Sequence, residues 1–269
     1  MKAPASPLSF LKGASGVFDL ALEQATWSRR AIFMAILLGL PAVLALLFRT
    51  ESLIHVPPEV TGFELFGNLV VFYYLGNALP LTALFYAGSL VADEVEGKTI
   101  TYLLSRPISR TSILAGKFAA FMATGLSFTL PPLLVAFLLL VGGDRGKGLA
   151  AAAPDLFLDM GVCALALAAY GAVFTLLGCV LKRPMIPGLL YIFVWELVAS
   201  HLPGYMPRLT LAAHLRSLVR HRPAEEGLLQ LFGQVIPAAQ CLAALAALTL
   251  TALLVSAWIF SRREYVVNS

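Results

Sequence analysis

Phe118-Ala-Ala-Phe-Met-Ala-Thr-Gly-Leu-Ser-Phe-Thr-Leu-Pro-Pro-Leu-Leu-Val-Ala-Phe-Leu-Leu-Leu-Val141 contains no charged residue from one end to the other. A helix that crosses the hydrocarbon of a bilayer needs about 20 mostly apolar residues, and this run supplies them without interruption. Comparable runs lie at 31–48, 69–91, 156–181 and 238–260, and a shorter one at 185–199 opens with Pro184-Met185-Ile186-Pro187. Each Leu, Ile, Phe or Val favours insertion by about 0.3 to 0.6 kcal/mol, whereas a central charge costs about 2.5 to 3.5 kcal/mol. The sequence therefore predicts an all-α membrane protein with six transmembrane helices.

The whole composition agrees. Of 269 residues, 59% are hydrophobic and 13% charged, against about 25% charged in an ordinary soluble domain. A water-exposed globule could not cover its core with so few polar side chains, so the apolar excess must face lipid. The first apolar run starts about 30 residues in and is long enough to span by itself, so no cleavable signal segment is expected. With the amino terminus inside, twelve of the nineteen Lys and Arg residues fall on the inner side and seven on the outer. The positive-inside tendency thus puts both termini in the cytoplasm. The pI near 9.0 needs no nucleic-acid partner, because basic rims beside anionic lipid account for it.

Outside the spans, residues 1–30 mix Leu8, Phe10, Leu11, Val17, Phe18 and Leu20 with Lys12, Asp19, Glu23, Arg29 and Arg30. This predicts an amphipathic helix lying along the inner face, while residues 261–269 form a cytoplasmic tail. The outer loop 200–237 holds Leu211, Leu215, Leu218 and Val219 at helical spacing, which predicts a short interfacial or re-entrant helix between the fifth and sixth spans. Cys163, Cys179 and Cys241 fall within apolar runs and read as packing residues.

The most polar stretch is the cytoplasmic connection 92–117, Ala-Asp-Glu-Val-Glu-Gly-Lys-Thr-Ile-Thr-Tyr-Leu-Leu-Ser-Arg-Pro-Ile-Ser-Arg-Thr-Ser-Ile-Leu-Ala-Gly-Lys. Gly97 permits a turn, Pro107 stops a short helix, and Ser109 can cap a new helix that begins near Arg110. One reading is a solvated loop charged for topology. The other is a docking element, with Tyr102, Leu103, Leu104 and Ile108 as apolar anchors inside a charged rim. Gly97-Lys98-Thr99 imitates the end of a phosphate-binding loop, but the required first glycine is Ala92 and no strand precedes it.

Asp93-Glu94-Val95-Glu96-Gly97-Lys98-Thr99, then Tyr102-Leu103-Leu104-Ser105-Arg106-Pro107 with Ser109-Arg110, then Gly116-Lys117 at the next span, resembles the membrane subunits of ABC transporters of the ABC-2 type. Trp195-Glu196-Leu197, Leu202-Pro203-Gly204 and Leu215-Arg216-Ser217-Leu218 extend the resemblance toward the subgroup containing the permease of nitrous-oxide-reductase maturation. The resemblance implies a non-catalytic permease, an exporter in a bacterial inner membrane that works as a homodimer. It implies two copies of a cytoplasmic ATPase that bind ATP and Mg, with no cofactor on this chain. It also implies that Asp93, Glu94, Glu96, Gly97, Lys98, Tyr102, Leu103, Arg106, Pro107 and Arg110 couple to that ATPase.

Glu196 is the one acid well inside an apolar stretch, and such a group usually faces a bundle interior or cavity. It either lines the substrate path or pairs near the outer surface with an arginine such as Arg208. Asp155 and Asp159 share a helix face and read as charges complementing the start of the fourth span. His55, His201, His214 and His221 lack the tight spacing of a metal site, and no catalytic motif is present. An ion-gradient transporter or channel, and an integral membrane enzyme, are the rival readings.

Overall fold

The computed structural model describes residues 7–26, 28–49, 61–90, 109–142, 148–181, 183–199, 206–220 and 236–262, and no strand occurs among them. Helices α1 (Pro7–Thr26) and α2 (Arg29–Arg49) come first. Helix α3 is Gly62–Ala87, α4 is Arg110–Val141 and α5 is Leu149–Val180. Helix α6 occupies residues 185–199, α7 is Leu211–Leu218 and α8 is Ala238–Arg262. Five helices, α2, α3, α4, α5 and α8, are long and apolar enough to cross a membrane. Helix α6 is shorter, since residues 185–199 rise only about 22 Å against a hydrocarbon layer of about 30 Å.

Capping explains where the long helices begin. Helix α3 starts before its apolar run at 69, because Thr61 and Glu64 form a reciprocal capping box at its N-terminus. Helix α4 starts at Arg110, where the Ser109 side chain accepts the Ser112 amide at 3.2 Å, as the sequence predicts. Helix α5 also starts early, after Gly148, so Asp155 and Asp159 lie beyond its first turn.

Prolines inside these helices orphan backbone carbonyls, which lipid cannot satisfy. Pro41 of α2 leaves the Leu37 carbonyl without its usual donor, and the Tyr73 hydroxyl supplies one at 2.6 Å. Tyr74 adds a donor to the next carbonyl, that of Leu38, at 2.9 Å. Both tyrosines sit on a π-helical stretch of α3, Leu69–Ala78, just before Pro80. There the Leu79 amide bonds the Tyr74 carbonyl, five residues back, so the ladder shifts register where proline interrupts it.

Packing follows small residues. A β-carbon at Gly178 would collide with the carbonyl of Gly88, so α5 and α3 cross backbone to backbone near their C-terminal ends. A β-carbon at Gly116 would stand 2.5 Å from the Ala14 carbonyl, which lets α1 lie directly on α4. Val17 of α1 is thereby buried with Ile113 and Leu114 at the start of α4 and with Cys179 and Phe260 at the ends of α5 and α8. Ile32, Ile36 and Val43 of α2 and Leu250, Leu254 and Trp258 of α8 remain exposed, as lipid-facing surfaces require.

Candidate functional site

Among the described residues, one polar junction stands where α3 gives way to α4 and another between α6 and α7. The first, called the inner junction after the side that the sequence predicts for it, anchors the roots of the connection between α3 and α4. Leu90 is the last described residue before that connection, and its carbonyl accepts from Lys117 Nζ at 2.8 Å. Lys117 is only 9% exposed, so its cation is held within the bundle end. Beside it, Arg30 Nη1 donates to Ser89 Oγ at 2.6 Å, tying α2 to the same root. On the other root, Arg110 Nη1 lies 3.5 Å from the Phe260 carbonyl and 3.4 Å from that of Ser261, in the last turn of α8. Cations suit these places because carbonyls at a helix C-terminus lack intrahelical donors and carry the negative end of the dipole.

Of the residues expected to couple to an ATPase, Asp93, Glu94, Glu96, Gly97, Lys98, Tyr102, Leu103, Arg106 and Pro107 lie outside the described residues. Arg110 is described and fastens α4 to α8. Lys117 and Arg30 are positioned beside it, although composition and spacing do not announce their partners. The signal available for Lys117 was a lysine carried into an apolar helix next to a glycine.

The outer junction is built on Glu196. Helix α6 runs antiparallel to α5, placing Tyr191 edge-on to Phe174 with ring centroids 5.9 Å apart. A π-helical turn over Tyr191–Glu196 then carries the Glu196 side chain inward, where it is 4% exposed. Its carboxylate accepts from the Tyr191 hydroxyl at 2.6 Å and the Tyr170 hydroxyl at 3.3 Å. It also accepts from the amides of Leu211 at 3.1 Å and Ala212 at 2.9 Å. Thr210 accepts the Ala213 amide at 3.2 Å, so the first amides of α7 are all satisfied. A buried acid is tolerable because these donors replace water and the helix N-terminus favours negative charge. Arg208, expected as its partner, is not among the donors.

Helix α7 exists where the leucine spacing places it, with Leu211, Leu215 and Val219 buried. It begins beside Tyr170 and ends with Arg220 Nη1 3.2 Å from Asp155 Oδ1. Those two positions on α5 are about 22 Å apart. The run that α6 begins is therefore resumed by α7 along the same neighbour, with Glu196 bridging the break. Asp155 thus serves as an ion-pair partner of the α7 end, a role its spacing did not reveal.

No curated protein matches the chain. The model of the ABC-2 family transporter protein matches residues 59–265. That match takes in α3 to α8, the outer junction, the inner junction apart from Arg30, and the whole connection between α3 and α4. Apolar spanning helices, polar junctions confined to their breaks and a match over most of the sequence converge, and the chain belongs to the ABC-2 family of transporter proteins.

Proposed function

We propose that this chain is the permease subunit of an ATP-driven exporter in a bacterial inner membrane, with both termini in the cytoplasm. Permeases of this family generally work with an ATP-binding subunit. In the proposed assembly two permease copies engage two ATPase copies, which bind ATP and Mg. Helices α6 and α7 together make the sixth crossing, a broken one. The subgroup resembling the nitrous-oxide-reductase maturation permease is the branch to which the motifs around Glu196 and Arg216 point.

The observation that supports this reading best is the anchorage of the cytoplasmic connection. Its roots at Leu90 and Arg110 are tied to α4 and α8, and neighbouring Ser89 is tied to α2. A push delivered to Asp93–Arg106 by closing ATPases reaches several helices at once. The bundle then alternates between inward and outward access. Glu196 serves the substrate path by holding the α6–α7 wall in place.

Co-purification with the ATPase tests the proposal. Combined alanine substitution of Glu94 and Arg106 is expected to reduce recovery of the ATPase by about tenfold or more, the loss of two to three interfacial contacts. Undiminished recovery, with the permease still folded, would refute the docking role of the connection.

A further inference from the structure

Two arginines project from α7 and its C-terminal end, and the fold treats them differently. Arg220 has a carboxylate, Asp155, at 3.2 Å. Arg216 turns toward α3. Its guanidinium carbon lies 5.9 Å from the centre of the Phe72 ring, and its Nη2 would stand 3.7 Å from a β-carbon placed at Gly76. The guanidinium thus lies alongside α3 at Gly76, over an aromatic face. Arg216 Nε is buried and has no hydrogen-bond acceptor among the described residues.

A guanidinium remains charged at any relevant pH and presents several N–H donors in a fixed fork. Arg216 is half-buried, and its Nε is enclosed without an acceptor among the described residues; ionisable groups set into a membrane bundle commonly mark substrate or ion pathways. Glu196 gives the guanidinium no hydrogen bond, because both carboxylate oxygens are taken by Tyr170, Tyr191, Leu211 and Ala212. Those same bonds fix the start of α7 and therefore fix where Arg216 points. Phe72 is 42% exposed, so the ring that carries the guanidinium is not covered by the described residues of this chain.

Resting on the permease reading above, we infer that Arg216 is an oxyanion-binding residue on the substrate path, and that the cargo carries a phosphate, sulfonate or carboxylate group which docks there in transit. The fork geometry suits two oxygens of one such group. Lipid headgroups share this chemistry, but Phe72 and Gly76 stand near the middle of the Gly62–Ala87 helix. Headgroups lie about 15 Å from the middle of the hydrocarbon layer. An anion at this depth arrives through the protein.

The test compares decyl phosphate with decanol, measured as heats of binding to the permease, alone and with its ATPase, in phosphatidylcholine nanodiscs corrected against empty discs. The wild type is expected to bind decyl phosphate about tenfold more tightly than decanol, as a charge-assisted bidentate contact provides. Arg216→Ala and Arg216→Gln are expected to abolish that ratio, Arg216→Lys to retain part of it and Arg220→Ala to leave it intact. Equal binding by the wild type, or a ratio that survives Arg216→Ala while the protein remains folded, would overturn the assignment. Loss of the wild-type ratio in phosphatidylglycerol discs would give the anion to lipid and overturn the cargo claim. Dissociation of a permease dimer by Arg216→Ala, read by mass photometry, would place the missing acceptor on the second copy and equally overturn it. The permease reading fails by a different result, absence of a co-purifying ATPase, which does not enter the binding ratio.

Discussion

The inner and outer junctions solve one problem with opposite charges. At the inner junction helices end, and Lys117 and Arg110 bring cations to their last carbonyls. At the outer junction a helix begins, and Glu196 brings an anion to its first amides. The sign of each charge follows from the direction of the peptide dipoles. The number of partners separates the two more than sign does. Each inner cation serves one or two carbonyls, whereas Glu196 gathers two hydroxyls and two amides.

That contrast ranks the consequences of breaking each junction. Glu196→Ala strands two amides and two tyrosine hydroxyls in an apolar setting. It is expected to cost about 3 to 5 kcal/mol, the usual penalty for opening a buried polar cluster. Thermal unfolding in detergent measures it, and a loss below 1 kcal/mol would show that α7 is held by apolar packing alone. Lys117→Ala removes the donor to a single carbonyl, so about 1 to 2 kcal/mol is expected. Its sharper signature is functional: ATP hydrolysis continues while transport falls, because α3 and α4 no longer move together. Should transport and stability fall in strict proportion, the inner junction is a fastening and nothing more. Arg220→Gln comes last. The Arg220 side chain is 66% exposed, so its pair with Asp155 is expected to contribute less than about 1 kcal/mol and to weaken further in high salt.

The sequence disclosed the features that repeat or persist along a single segment. Uninterrupted apolar runs placed the long helices, Ser109 announced the start of α4, and the leucine spacing announced α7. The 62–68 extension of α3 was also local, since Thr61-x-x-Glu64 is a capping box, but the apolar run beginning at 69 obscured it. The junctions were not legible for a different reason. Tyr170 lies 26 residues from Glu196, and Lys117 lies 27 residues from Leu90, so no window joins them. Glu196 stood out because an acid among apolar residues is conspicuous. Its tyrosine donors did not, because a tyrosine in a membrane helix reads as bulk. Arg216 was hidden on the polar side of α7, where arginines ordinarily meet solvent.

The link between Pro41 and Tyr73 bears on how the protein is made. A newly inserted α2 carries a carbonyl at Leu37 that its own helix cannot quench, and Tyr73 is synthesised 36 residues later. At about 5 to 20 residues per second that interval lasts about 2 to 7 s. Biogenesis therefore favours release of α2 and α3 into the lipid as a hairpin, with the later helices added to a pair already closed.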